Sequence, residues 1–403
     1  MSETPQIPVL PGDSPETLLN HPPEVVVPAD NRPLIAPIYA SVKFEFEEVD
    51  EALRLFRGER AGFFYQRTSN PTTRQLELTL AQLQGRDDCI SCATGVAAIN
   101  GALMALTAQG DHVLCFLESY GATRTFIRRT LARFGVRHTL LSIEDLAGVE
   151  QTLRGTPTKL MIFESPTNPI NKVADIGALC ALAQRHGTLT LLDNTFAGPH
   201  QHGQYPIDLY LHSLTKIVAG HGDVMGGAVI GAERLLRGLK PEFSNLGGTL
   251  DPHAAFLIQR GLRSYFVRYR AQDAAALRVA QFLATHPAVV EVRYPGLASD
   301  RFHALAAQQM RDFGSVINFE IRGGAEAARA CCEALRLFAT AVSLGASESL
   351  ALPSQMLPAR DLDASQRQLA GLRPGMVRLS IGLEAVEDLL ADLAQALGRA
   401  VAG

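Results

Sequence analysis

Two short segments of the chain carry the residue types that amine and carbonyl chemistry needs. In L-L-D-N-T-F, Asp193 ends an apolar run; in H-S-L-T-K, somewhat further on, Lys216 follows Ser213 and Thr215. Ligands of α/β proteins bind at the carboxyl ends of strands, so an acid and an amine at neighbouring strand ends can meet over one ligand. A carboxylate there can pair with a protonated pyridine nitrogen while the lysine condenses with an aldehyde. That combination describes a site for pyridoxal 5'-phosphate, with the Ser213 and Thr215 hydroxyls on its phosphate. Taken singly, a strand-end Asp is often a helix cap and a loop Lys is usually solvated; together they outweigh those readings.

A second element, A-T-G-V-A-A-I from Ala93 to Ile99, puts Thr94 and Gly95 at the start of a strongly apolar helix. Free N–H groups and the positive end of the helix dipole make such a start an anion site, and glycine permits close approach. Alone the element is weak, since small residues are common at helix starts. Beside Ser213 and Thr215 it reads as the other half of a phosphate cradle.

The elements that must hold these residues follow from pattern. From about Gly62 short apolar runs alternate with amphipathic stretches, which predicts a mostly parallel α/β sheet covered by helices on both faces. Strands are expected at His112–Phe116, Arg137–Leu141, Lys159–Phe163, Leu189–Asp193, Asp208–His212 and Met225–Ile230, and helices at Gly95–Ala108, Thr123–Phe134 and Ile176–His186. After Asp251-Pro252 a long helical pattern runs to about His286. Strands near Val289–Tyr294, Ser315–Ile321 and Val377–Ile381 then alternate with Ala- and Leu-rich helices, the mark of a smaller α+β domain. The expected organisation is an N-terminal arm at 1–61, Pro-rich and then helical over Glu47–Arg57, a large domain at 62–255 and a small C-terminal domain at 256–403.

With 403 residues, 47% of them hydrophobic, the chain has apolar material for two cores, and a net charge of -4 with dispersed Lys and Arg speaks against a nucleic-acid partner. Nothing reads as a secretory signal or a membrane span. Six cysteines in so long a chain suit a reducing cytoplasm better than a disulfide framework. Cys89 and Cys92 form a C-x-x-C pair with no second pair to complete a zinc site, and are expected to be buried structural thiols. His200 and His202 in G-P-H-Q-H-G lack an accompanying acid or thiol cluster, and are expected in a surface or pocket loop; no metal is expected at either place. His212 and His221 are expected to support the lysine loop.

From about Pro33 onward a series of motifs appears in order: Y-Q-R-T-S-N-P-T at Tyr65, S-Y-G-A-T at Ser119, E-S-P-T-N-P at Glu164, D-N-T-F at Asp193, H-S-L-T-K at His212, S-L-G-A-S-E-S-L at Ser343 and V-R-L-S-I-G at Val377. The set resembles the Cys/Met-metabolism family of pyridoxal-phosphate enzymes, which includes cystathionine γ-synthase, the cystathionine β- and γ-lyases and methionine γ-lyase. The resemblance implies the type I fold of such enzymes, with pyridoxal 5'-phosphate held by Lys216, Asp193, Thr94, Gly95, Val96, Ser213, Thr215 and Thr195. It implies that Tyr120 stacks on the ring and, with Lys216, moves protons. Arg378 would receive the substrate α-carboxylate, with Ser343, Asn168 and Val342 lining the substrate pocket. Tyr65 and Arg67 would reach the phosphate of a neighbouring subunit, making the enzyme a homotetramer built from catalytic dimers. Without the resemblance, Tyr65 reads as a loop aromatic and Arg378 as an edge-strand surface residue.

All reactions of that family begin with removal of an α-proton, so the shared motifs leave the choice open. The favoured reading is a carbon–sulfur lyase performing β- or γ-elimination on a cystathionine-like or methionine-like amino acid; the alternative is γ-replacement on an activated homoserine ester. Val342 stands where the cystathionine γ-enzymes usually carry Glu and the bacterial β-lyases Tyr, and it cannot hold the distal amino group of cystathionine. An apolar residue there is similar to methionine γ-lyases, which however typically carry Cys where this chain has Ala122. M-L-P at Met356–Pro358 and R-G-L-R-S-Y-F at Arg260–Phe266 depart from the usual M-T-H and R-G-L-K-T-L, and these changes are expected to lie near one cleft.

Overall fold

Seven strands form the first sheet, most of them buried on both faces as the strands of a mostly parallel sheet are. They are β1 (Asp88–Cys92), β2 (His112–Phe116), β3 (Arg137–Leu141), β4 (Leu160–Glu164), β5 (Leu189–Asp193), β6 (Leu209–Ser213) and β7 (Gly227–Gly231). Their order in the sheet is β1-β7-β6-β5-β4-β2-β3. All neighbouring pairs are parallel except those of β7, which is antiparallel to both β1 and β6. The computed structural model describes residues 30–31, 33–357, 359 and 361–402. Most of the expected Pro-rich stretch, and Pro358 of M-L-P, lie outside those residues. Of the short segment before Tyr39, the side chains of Leu34 and Ile35 are exposed; from Tyr39 on the described residues form one compact unit.

Alternate residues of each strand supply two different cores, because successive side chains point to opposite faces. Leu114, Phe116, Met161, Phe163 and Leu192 pack with Ile176, Leu179 and Leu182 of the helix Ile176–Arg185. Val113, Cys115, Leu160, Ile162 and Leu191 pack on the other face with Ile99, Ala102 and Leu103 of the helix Gly95–Leu106. The six cysteines are buried and free. Cys89 and Cys92 sit three apart on β1 and enter opposite cores, which excludes a shared metal and leaves them as packing residues.

The second sheet holds β8 (Val289–Arg293), β9 (Val316–Ile321), β10 (Ala339–Thr340), β11 (Leu350–Pro353) and β12 (Met376–Ser380) in the order β10-β11-β12-β9-β8. The long helical pattern after Pro252 divides into Pro252–Leu262 and Tyr265–Thr285. The break follows Gly261, which packs so closely on the loop after Lys216 that an added Cβ would lie 2.2 Å from the Ala219 carbonyl. The second of these helices ties the sheets together: Tyr265 and Tyr269 enter the first core, while Ala276, Val279 and Leu283 enter the core of the second sheet. The helix expected at Thr123–Phe134 begins instead at Gly121 and widens into a π-helical turn over Phe126–Leu131.

Candidate active site

The carboxyl ends of β4, β5 and β6 lie side by side, and they deliver the first group of polar residues. Asp193 is in register with Glu164 of β4 on one side and with Leu211 of β6 on the other. Thr195 holds the Asp193 carboxylate twice, through its hydroxyl at 2.6 Å and its N–H at 3.1 Å, and accepts the Ser213 N–H at 2.9 Å. Burial pushes the Asp193 carboxyl up, while the two Thr195 bonds oppose that. Burial and then the neighbouring Asp193 charge push Glu164 well above the ordinary carboxylate range. Two acids at adjoining strand ends therefore favour a protonated, cationic partner between them and solvent.

Lys216 lies in the turn after β6. The backbone beyond it is clamped by the buried Arg268 guanidinium, which donates to the carbonyls of Ile217, Val218 and Gly261 at 3.0 to 3.2 Å. Its Nζ donates to Ser343 Oγ at 2.8 Å. Ser343 has φ of 109°, a backbone region that residues with a Cβ rarely adopt, so the chain is held there by its surroundings. Burial, and secondarily the Arg378 charge, lower the Lys216 pKa and favour the neutral amine.

Arg378, on β12 of the second sheet, is buried rather than at a surface edge, which corrects the reading from its neighbours alone. It donates through Nη1 to Asn168 Oδ1 at 3.0 Å and through Nη2 to the Ser343 carbonyl at 2.6 Å. Its Nε has no hydrogen-bond partner, and it forms no ion pair among the described residues. Burial pulls its pKa down to about 10, opposed by Tyr120. A buried guanidinium with a spare donor and no acid is built for an anionic ligand.

The start of the helix Gly95–Leu106 closes the other end. Thr94 caps the helix Gly95–Leu106 by accepting the Ala97 N–H at 2.9 Å, which leaves the N–H groups of the first turn without helical partners. A Cβ on Gly95 would come within 2.7 Å of Ser213 Cβ, and one on Gly227 within 2.1 Å of the Thr94 carbonyl. The helix start therefore approaches β6 and β7 only because both positions are glycine. Thr215 exchanges bonds with the backbone of Gly226, accepting its N–H at 3.0 Å.

These groups line one cavity of about 570 Å³ that brings together Thr94, Gly95, Val96, Tyr120, Asn168, Asp193, Thr195, Ser213, Thr215, Lys216, Val342, Ser343 and Arg378. Every cofactor- and substrate-contacting residue singled out from the sequence is there except Tyr65 and Arg67. In the same chain those two lie elsewhere: Arg67 donates to the Ser244 carbonyl at 3.0 Å, and Tyr65 is exposed. The cavity also contains Glu164, His212, Met225 and Met356. Glu164 was overlooked as a functional residue, although L-M-I-F-E and L-T-L-L-D end alike in an acid.

Several departures fall elsewhere than expected. Ala122 lies in an adjoining hollow of about 640 Å³ with Gly121 and Arg129, and Met356 borders both spaces. Tyr265 of R-G-L-R-S-Y-F is a core residue bonded to His200 Nδ1 at 2.9 Å, away from the cleft. His202 is fully buried, not in a surface loop, and His200 nearly so. His202 bonds Asn194 at 2.7 Å, and Gln84 links Asn194 to His212. His221 is exposed and bonds the Ala219 carbonyl.

A strand-end acid beneath a cavity, a half-buried lysine, a glycine-opened helix start and a buried arginine fit pyridoxal 5'-phosphate and an amino acid. With the seven-stranded sheet and its smaller companion, they define a pyridoxal-phosphate enzyme of fold type I. The family model described as Cys/Met metabolism PLP-dependent enzyme matches residues 25–398. L-methionine gamma-lyase of Pseudomonas putida is 40% identical over 374 residues, covering 90% of this chain and 92% of that protein. Cystathionine gamma synthase of Xanthomonas oryzae pv. oryzae, solved with cystathionine, superposes with a TM-score of 0.86 at 35% identity, covering 92% of this chain and 94% of that one. A chain from Campylobacter jejuni assigned as an O-acetylhomoserine (thiol)-lyase, carrying N'-pyridoxyl-lysine-5'-monophosphate, matches with a TM-score of 0.86 at 33% identity over 91% of this chain and 96% of that one. The protein belongs to the Cys/Met-metabolism family of pyridoxal-phosphate-dependent enzymes.

Proposed function

We propose that the protein is a carbon–sulfur lyase that eliminates the sulfur substituent of a methionine-like or cystathionine-like amino acid, with short thioethers preferred. The observation that carries the reading is the apolar cavity mouth: Val342, 68% exposed, and Met356 border it. Nothing at position 342 can hold a distal ammonium group. The likeness to the methionine gamma-lyase of Pseudomonas putida supports the same choice. γ-Replacement on an activated homoserine ester is the second reading, supported by the likeness to a cystathionine gamma synthase and a (thiol)-lyase.

The cofactor, when bound, supplies an electron sink for the pair left at the substrate α-carbon. Asp193 would keep the ring nitrogen protonated, and Thr195 fixes the orientation of that carboxylate. Lys216 would hold the cofactor's aldehyde, and its free amine, with its lowered pKa, is suited to take the α-proton as a base. Tyr120 would pack against the cofactor ring, and its hydroxyl would serve as a second proton carrier. Thr94, Gly95, Val96, Ser213 and Thr215 hold the phosphate, while Arg378, aimed by Asn168 and Ser343, takes the α-carboxylate. Tyr65 and Arg67 complete the cradle of a neighbouring subunit in a homotetramer of catalytic dimers. We divide the chain into an arm at 1–61, a cofactor domain at 62–255 and a small domain at 256–403, the last supported by the separate core of the second sheet.

Product analysis decides between the two readings. Elimination releases ammonia and a 2-oxo acid from methionine or cystathionine with no added nucleophile, whereas an absolute requirement for an added thiol or cysteine establishes replacement. Val342→Glu is expected to raise kcat/KM for cystathionine relative to methionine about tenfold, the worth of one charge-assisted hydrogen bond; an unchanged ratio removes this residue from the selectivity argument.

A further inference from the structure

We propose that Glu164 is a positioning residue that couples the two arms of the active site, the ring-stacking Tyr120 and the carboxylate-binding Arg378; the proposal rests on the cofactor reading above. Glu164 is buried at the end of β4, beside Asp193, and borders the cavity. Its Oε1 accepts the backbone N–H of Tyr120, and its Oε2 accepts the backbone N–H of Asn168 at 3.4 Å. Those two donors belong to separate segments of chain. Tyr120 opens the helix Gly121–Thr125, and Asn168 lies in the loop after β4, where its side chain accepts from Arg378 at 3.0 Å. One carboxyl group therefore spans from the aromatic over the cofactor ring to the partner of the substrate-binding guanidinium.

Packing does not explain an acid at this position. Glu164 follows Leu160, Met161, Ile162 and Phe163, all buried, and another apolar residue would extend the strand without the cost of desolvating a carboxyl group next to Asp193. What an apolar residue lacks is a pair of acceptor atoms. Leucine would orphan both N–H groups, and glutamine has a single carbonyl oxygen to offer. Aspartate, one methylene shorter, would draw back from both donors. The Tyr120 turn is held from its other side by Arg124, which donates to the carbonyls of Leu117 and Ser119. Glu164 is thus the link by which a shift of the stacking residue is felt at the carboxylate site, and the reverse.

The test uses the full chain reconstituted with pyridoxal 5'-phosphate. Visible circular dichroism of the bound cofactor reports Tyr120, and substrate KM reports Arg378. Glu164→Ala is expected to weaken the dichroic band and raise KM about tenfold, with a smaller change in kcat. Glu164→Gln should recover the band better than it recovers KM, because its one oxygen serves the Tyr120 donor. In a double-mutant cycle, Glu164→Gln and Asn168→Ala should be non-additive in KM, since the first acts on Arg378 through the second. Additive effects on KM, or a Glu164→Ala enzyme that matches the parent in both band and KM, would overturn the proposal. If Glu164→Ala does not fold, the cycle with Gln decides alone. A parent protein that develops no visible band on reconstitution overturns the cofactor reading itself, and this proposal with it.

Discussion

Lys216 is the residue on which the proposed chemistry converges, and its surroundings show how unlike a surface lysine it is. It is held by Ser343, neighboured by Arg378, and has a lowered pKa through burial. Lys216→Ala is expected to abolish both turnover and the visible band of the bound cofactor; a variant that keeps its parent's spectrum would sink the assignment. Arg378→Lys keeps the charge but loses the planar fork and the spare Nε donor, so KM should rise about 30-fold or more with kcat less affected. Steady-state kinetics on any accepted amino acid checks this. Asp193 and Lys216 were legible because an acid ending an apolar run and a lysine after S-L-T are chemically specific. Arg378 was legible only through resemblance: V-R-L within a strand carries no sign of whether the Arg faces water or a pocket. The second sheet makes that decision, by placing β12 against the Asn168 loop.

At the scale of elements, glycines set the distances. Gly95→Ala would drive a methyl group to 2.7 Å from Ser213 Cβ, forcing the helix start away from β6. Cofactor affinity is expected to fall at least about tenfold while the fold persists, measured as the Kd of pyridoxal phosphate for the apo-protein. Strands β2, β3 and β5 were legible to the residue; for β2 and β5 the reason is that parallel strands buried on both faces are largely apolar runs. The split of the long helix at Arg263-Ser264 was not, since it reflects the contact of Gly261 with Ala219, 42 positions away in sequence and unseen by local pattern. Tyr265 was misplaced for a like reason: an aromatic in a helical pattern gives no direction, and only its bond to His200 shows that it serves the core.

Two properties belong to the molecule as a whole. Burial pushes His202 and His212 down to about 3, so both are neutral in the native state. Their folded pKa lies below the unfolded value near 6.5. The unfolded chain therefore binds protons that the native state refuses, and stability is lost as pH falls from about 6.5 towards 3, by about 1.4 kcal/mol per pH unit for each histidine. Raised carboxyls such as Glu164 work in the opposite sense, so the difference between parent and His202→Asn isolates the effect. Urea unfolding from pH 7 to 5 should give a shallower loss in the variant. The second property is assembly. If Tyr65 and Arg67 serve a neighbour's site, co-refolding inactive Lys216→Ala with inactive Arg67→Ala should restore about a quarter of parental activity, since half of randomly paired dimers then hold one intact site. No restoration would place Arg67 outside the site.

Taken from the sequence alone, the cavity's lining was legible where residue type itself is the information: Asp193, Lys216, the hydroxyls of Ser213 and Thr215, the glycine at a helix start, and the apolar runs of a mostly parallel sheet. Tertiary structure decided what depends on direction and on partners distant in sequence. It turned Arg378 inward, paired Glu164 with Asp193 in register, divided the long helix, buried His202 and His212, and placed Ala122 and Tyr265 outside the cavity while leaving Val342 and Met356 at its mouth. The physical reason is that periodicity reports which face of an element is buried, whereas a site is made by the meeting of elements, whose relative placement is set by long-range packing.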